Sequence, residues 1–201
     1  MFQAFEKAGL RIKPRKCHIC CNSVPYLGHL LSSDGIRVNP ARVKAIREMP
    51  APSKTKAVES FIGLVNYYRR FVRNLSEIEA PLRDVIANST FEWTQEAQLS
   101  FDKIKKSIAR DSILAYPDPT ALLVVDTDAS DVGLAAVSSQ IGSDSMEHPI
   151  AYASRVLAPR EKKWSVMERE CLTVVWAITE QFLCYLYGSK FVVRTDNRPL
   201  S

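Results

Sequence analysis

A chain of 201 residues, 46% hydrophobic and 24% charged, is long and apolar enough to bury one or two cores, which excludes wholesale disorder. No apolar run reaches the roughly 18 to 20 residues that span a bilayer, and charges are interspersed from Met1 to Lys16, where a signal peptide would be apolar. The chain therefore reads as soluble and intracellular, without membrane contact. Five cysteines, Cys17, Cys20, Cys21, Cys171 and Cys184, are odd in number and uneven in spacing, which suits a reducing compartment better than a disulfide framework. The net charge of +5 conceals a division: residues 1–110 hold 19 Lys and Arg against 10 Asp and Glu, whereas residues 111–201 hold 8 against 12. A basic half can displace counterions from a phosphate backbone, and an acidic half can offer hard oxygen ligands to divalent cations. An unevenly charged, solvated surface accounts for the same totals equally well.

In chain order, a helix end is stopped by Gly9 and followed by the extended, basic stretch Leu10 to Lys16. Val24 to Leu31 and Ile36 to Val38 predict a β-hairpin with Asp34-Gly35 in its turn. Asn39 caps a helix with Pro40 at its first position, and Pro50 and Pro52 end it. Ser53 or Thr55 caps the next helix, whose buried stripe is Val58, Phe61, Ile62, Val65, Tyr68 and Val72. The other face carries Glu59, Gly63, Asn66, Arg70 and Arg73. A glycine inside a helix costs about 1 kcal/mol relative to alanine, and close approach of another backbone is a reason for it. A nucleic-acid strand and a second protein helix are equal candidates for that neighbour. Ser76 to Glu79 reads as a capping box opening a helix through Ile86, with Pro81 limiting its regularity. After Thr94 an amphipathic helix buries Ala97, Phe101, Ile104 and Ile108 and leaves Lys103, Lys105 and Lys106 outside.

Pro117 and Pro119 mark a boundary where the charge balance also changes sign. Beyond it, strands at Ala121–Asp128, Gly133–Ser139 and Pro149–Ala153 form an antiparallel meander with Gly142 and Ser143 in a turn. A long helix over about 163–186 and a last strand, Phe191–Asp196, imply a right-handed crossover to a parallel pairing. The fold class is thus α+β followed by α/β on a mixed sheet.

Two strands end alike, at Asp128 and Asp196. If they are parallel neighbours, both aspartates emerge at one sheet edge, where open α/β sheets place their sites. On the long helix the apolar stripe is Met167, Cys171, Val174, Ile178 and Phe182; Glu170 falls on it and Glu168 falls away. A core-facing glutamate needs compensation. Three converging carboxylates repel one another, and two divalent cations about 3.5 to 4 Å apart relieve that repulsion while activating water against a phosphodiester. Asp126 and Asp131 compete for a role in the same loop, and strand-capping aspartates with Glu170 paired to a neighbouring cation explain the pattern without chemistry.

The segments Tyr26 to His29, Asp34 to Ile36, Phe61 to Leu64, Asn66 to Phe71, Ala80 to Leu82 and Phe91 to Trp93 resemble, in order and spacing, the thumb and connecting region of gypsy-class long-terminal-repeat retrotransposon reverse transcriptases. Thr127 to Ser130, His148 to Tyr152, Glu168 to Leu172, Tyr185 to Gly188 and Thr195 to Leu200 resemble the ribonuclease H domain of the same Pol polyproteins. The resemblance implies residues 1–25 as the end of the palm, 26–90 as a primer-grip hairpin and helical thumb, 91–120 as the connection and 121–201 as a ribonuclease H-like domain. It assigns Asp128, Glu170 and Asp196 as catalytic and Mg2+-binding, in a two-ion site, and demotes Asp126. It assigns Tyr26, Gly28, His29, Gly63, Asn66, Arg70 and Arg73 to nucleic-acid contact. The implied partners are an RNA–DNA hybrid or primer-template duplex and the remainder of the Pol polyprotein, with the cytoplasm or a virus-like particle as location and the nucleus within reach.

Two departures limit what the chain should do alone. No Tyr-x-Asp-Asp signature occurs, so polymerisation is not expected, and the sequence stops after the third acid, before the family's fourth acid and last helices, so hydrolysis by this chain is in doubt. Cys17-His-Ile-Cys20-Cys21 has zinc-like spacing but lacks a second pair, and strand residues are the better reading. Trp164 and Trp176 read as packing residues, and Lys13, Arg15 and Lys16 as phosphate contacts or solvated charges.

Overall fold

The computed structural model describes residues 2–11, 13, 17, 19–110 and 112–196; the readings at Arg15, Lys16 and His18 and at residues 197–200 lie outside them. Helix α1, Phe2–Lys7, ends in Gly9 at φ +68°. The expected hairpin is a three-stranded meander instead: β1 Ser23–Tyr26, β2 His29–Ser32 and β3 Gly35–Val38. Leu27 and Gly28, both at positive φ, fold the single run expected from Val24 to Leu31 back on itself, pairing Tyr26 with His29. Gly28 permits this because a Cβ there would meet the Tyr68 hydroxyl at 3.0 Å in a backbone conformation that side chains disfavour.

Helix α2, Pro40–Arg47, starts as expected, with the Asn39 side chain accepting from the Ala41 amide. Helix α3, Thr55–Tyr67, does not: neither Ser53 nor Thr55 caps it, Lys54 holds the cap position without a side-chain bond, and Thr55 is already helical. Its stripe is buried through Val72, yet the α-helix stops at Tyr67 and a 3₁₀ turn, Arg69–Phe71, follows. Tyr68 and Phe71 must both enter one core, and a 3₁₀ turn superposes positions three apart.

Helix α4, Leu75–Ala87, is entered from Asn74 in a left-handed conformation, so Ser76 is not its cap and the capping box is absent. The cap comes from elsewhere in the chain: Ser154 Oγ accepts from the Ser76 amide at 3.0 Å, and Glu79, freed from capping, accepts from Arg83. Helix α5, Gln95–Ala109, is capped by Thr94 and buries Ala97, Phe101, Ile104 and Ile108. Lys105 is not free outside: its Nζ donates to the Met49 carbonyl at 2.6 Å and lies over the Phe101 ring. These helices share a core in which Phe61 and Phe101 meet at 4.5 Å between ring centres; each such ring contributes about 1.5 to 3 kcal/mol through burial.

The second core lies under a four-stranded sheet ordered β6-β5-β4-β7. Strands β4 Leu123–Ala129, β5 Gly133–Ile141 and β6 Glu147–Val156 form the antiparallel meander, and β7 Phe191–Arg194 runs parallel to β4. The long helix between β6 and β7 is interrupted: α6 Val166–Trp176 passes through a π turn, Ala177–Gln181, into α7 Leu183–Leu186. Its inner face is also rotated from expectation. Arg169, Glu170, Thr173 and Trp176 are buried, whereas Met167 and Cys171 are exposed. A capping box of Ser165 and Glu168 sets the start of α6, and Thr173 can be buried because its hydroxyl donates within the helix to the Arg169 carbonyl.

The two cores are stitched together. Leu114 exchanges both backbone bonds with Ile36, the Ala115 amide donates to Pro149, and Arg69 donates to the Ser154 carbonyl. Among the described residues no helix is long and apolar enough to cross a membrane.

Candidate active site and nucleic-acid interface

Pairing in register from Leu123–Phe191 to Asp126–Arg194 brings the ends of β4 and β7 side by side, so Asp128 and Asp196 leave the same sheet edge. Helix α6 packs against β4 and delivers Glu170 beneath them, 3% exposed. Its Oε1 accepts from the Ala129 amide at 3.3 Å, while its buried Oε2 meets no hydrogen-bond partner among the described residues. Burial pushes the Glu170 carboxyl above its ordinary value, and the charges of Asp196 and Asp128 push it further; the Ala129 amide and the Thr195 hydroxyl oppose them. The three acids are thus electrostatic neighbours. Among the described residues, however, no three His, Cys, Asp or Glu side chains stand close enough to hold one metal ion, so the acids do not form a closed ligand set as they stand.

The competing aspartates are both engaged by arginine. Arg194 grips Asp126 through two bonds of 2.7 and 2.8 Å and reaches Glu147 at 2.7 Å, and these carboxylates raise its pKa. Arg169 binds the Asp131 carboxylate at 2.6 Å and the Ser130 carbonyl at 3.0 Å. No hydrogen bond or ion pair among the described residues occupies Asp128 or Asp196 in this way, and both are exposed. Arg169, which pins the loop after Asp128, and Thr195, beside Glu170, were not picked out from sequence. No local spacing announces a bond across 38 residues.

The residues assigned to nucleic-acid contact fall into two groups. Gly63 is exposed on α3, and apart from the helix's own backbone no atom of the described residues comes within 4 Å of a Cβ placed there, so no second protein helix occupies that face among them. Half-buried Asn66 continues from it along α3, half-buried Arg70 lies in the 3₁₀ turn that follows the helix, and Tyr26 is 59% exposed on the turn beside Tyr67, whose hydroxyl donates to the Leu27 carbonyl. His29 is a packing residue: its ring stacks between Tyr67 and Phe71, its Nδ1 is buried without a partner, and burial followed by the Arg70 charge lowers its pKa. Arg73 lies beyond the helix end, where it shares a depression with Asp126, Glu147 and Tyr152 of the sheet. It does not share the helix face of Gly63, because the α-helix has already ended.

Comparison with known proteins agrees with this architecture. Residues 93–193 match the family model described as the RNase H-like domain found in reverse transcriptase. The chain is 39% identical to the retrovirus-related Pol polyprotein from transposon 297 of Drosophila melanogaster, over 100% of this chain and 18% of that protein. It is 34% identical to the Pol polyprotein from transposon gypsy of the same organism, over 96% and 20%. The chain therefore spans about a fifth of the length of these curated relatives. The foamy viral protease-reverse transcriptase dRH in complex with double-stranded DNA superposes with a TM-score of 0.83 at 25% identity, over 96% of this chain and 34% of that one. The foamy viral protease-reverse transcriptase in complex with an RNA/DNA hybrid gives 0.76 at 26%, over 90% and 25%. The strand order, the carboxylates at one sheet edge and these matches agree: the chain belongs to the family of RNase H-like domains found in reverse transcriptases.

Proposed function

We propose that this chain serves a Pol polyprotein by holding a nucleic-acid duplex against its helical half and hydrolysing the RNA strand of an RNA–DNA hybrid at Asp128, Glu170 and Asp196. The observation that carries the reading is Glu170, a buried glutamate with one oxygen unpartnered among the described residues, raised in pKa by burial and by the charges of two more carboxylates. Such a group is costly to ionise without a nearby cation. The donors are all hard oxygens, which suits Mg2+, and the exposed Asp128 and Asp196 side chains are free to rotate toward Glu170. Two bound Mg2+ ions would supply an activated water and stabilise the leaving oxygen. Glu170 anchors the inner side, with the Ala129 amide fixing its orientation, and Arg169 holds the loop that follows Asp128. On the helical half, the open face at Gly63 admits a backbone closely, with Asn66 and Arg70 beside it; contacts of this kind follow groove shape and phosphate rather than base sequence. The foamy viral relatives, solved with double-stranded DNA and with RNA/DNA hybrid, support the same substrate class.

A second reading, binding without cleavage, is favoured by the spacing of the acids, no three of which stand around one point among the described residues. The two are separated by titrating the chain with Mn2+ and following amide signals, alongside a Mg2+-dependent cleavage assay on a labelled hybrid. Broadening centred on Ala129 and Thr195, lost in Asp128→Asn together with cleavage, supports the nuclease. Broadening elsewhere, or none, sinks it.

A further inference from the structure

A second groove, whose lining includes Arg73 but neither Gly63 nor the carboxylates at Asp128, Glu170 and Asp196, lies between α5, the segment joining α3 to α4, the start of α4, and β6, with a volume of about 790 Å³. Arg73, Lys103, Lys106 and Arg110 line it, all exposed, and none forms an ion pair among the described residues. Glu77 and Asp102 also line it, leaving the wall with a net charge of +2 from four cations and two anions. Elsewhere in the chain the arginines that meet carboxylates bind them closely, as Arg83, Arg155, Arg169 and Arg194 do. Cations left unpaired around a concavity are available to an external anion.

The shape and lining narrow the anion. Lys103, Lys106 and Arg110 follow one another at intervals of three and four, so they line one side of α5 over roughly 10 Å at 1.5 Å per residue. Leu99, 63% exposed, and the half-buried Tyr152 ring add apolar surface to the same groove. Cations tracking a backbone along a groove with some apolar lining are what single-stranded nucleic acid uses. A duplex presents its phosphates on a convex cylinder and does not enter a concavity of this size.

We propose that this groove binds a single strand of nucleic acid, separately from the duplex face at Gly63. The site is independent of the carboxylates, so it stands or falls apart from the nuclease reading. The test is fluorescence anisotropy of the 201-residue chain with a short labelled DNA oligonucleotide across a salt series. Lys103→Gln with Lys106→Gln is compared with Lys162→Gln and Lys163→Gln, which remove the same charge from an exposed turn elsewhere. The groove pair should weaken binding several-fold and lower the salt slope by about 1.4, at about 0.7 per charge for single strands. The control pair should leave both near wild type. Equal losses in the two pairs would overturn the proposal, as would poly-aspartate competing as well as unlabelled oligonucleotide.

Discussion

Glu170 accepts the Ala129 amide across 41 positions of sequence, and through that bond the helix carrying one acid is tied to the strand carrying another. The bond holds a carboxylate where burial disfavours its charge. The consequence for stability has a definite sign. With its folded pKa raised above the ordinary 4.5, Glu170 keeps its proton longer in the folded state than in the unfolded one. Stability falls as pH rises through the unfolded value toward the folded one. Glu161 does the reverse: Arg155 holds its carboxyl below 4.5, so its contribution is present above that value and is lost as pH falls through the folded pKa. Urea midpoints from pH 3 to 8, without metal, should show Glu170→Gln removing the loss above about 4.5 and Glu161→Gln removing stability on the neutral side. Added Mg2+ should stabilise wild type and leave Glu170→Gln unchanged.

Much of this pairing could be anticipated because it rests on periodicity. The matching strand ends at Asp128 and Asp196 and the expected burial of Glu170 needed only alternation and helical spacing. The failures arose where tertiary contacts supplied what local sequence seemed to offer. Ser76 and Glu79 spell a capping box, yet Ser154, 78 positions away, caps the helix. Met167 and Cys171 read as the inner stripe of α6, but Trp176 and the self-satisfied Thr173 occupy it. The break at Leu27-Gly28 was missed because its first turn residue is a leucine at positive φ, a choice that propensity argues against.

The two glycines on the helical half should respond oppositely to alanine. Gly28→Ala places a Cβ 3.0 Å from the Tyr68 hydroxyl at φ +76° and should cost about 1 to 2 kcal/mol. Gly63→Ala meets nothing within 4 Å and should stabilise α3 by up to about 1 kcal/mol. If a duplex lies on that face, the same substitution weakens hybrid binding. Denaturation and anisotropy on one protein sample check both signs.

Phe101, 1% exposed, joins Phe61 and Trp93 at 4.5 and 5.9 Å between ring centres. Phe101→Ala should cost about 3 to 5 kcal/mol. Because Lys105 lies over the same ring and binds Met49, the loss should extend to the 50–54 connection, which limited proteolysis reads directly.

Arg169→Met removes charge-assisted bonds from Ser130 and Asp131 and should cost about 1.5 to 3 kcal/mol. Both bonds leave one nitrogen, Nη1, so Arg169→Lys, which keeps the charge and a single donor nitrogen, should recover part of that stability. Mn2+ broadening at Ala129 should weaken in both, and unaltered broadening in Arg169→Met would remove this arginine from any positioning role.

The π turn at 177–181, where the Phe182 amide reaches back to the Ala177 carbonyl, is in effect one residue of slack spliced into an otherwise regular rod. An α-helix advances about 100° per residue, at 3.6 residues per turn. That extra residue resets the azimuth of everything downstream, so Phe182 and Leu186 drop inward while Glu170 upstream is undisturbed. Deleting any one position in the loop would straighten the rod and swing both anchors out to water. Length, more than side-chain identity, is what evolution or an engineer must preserve there.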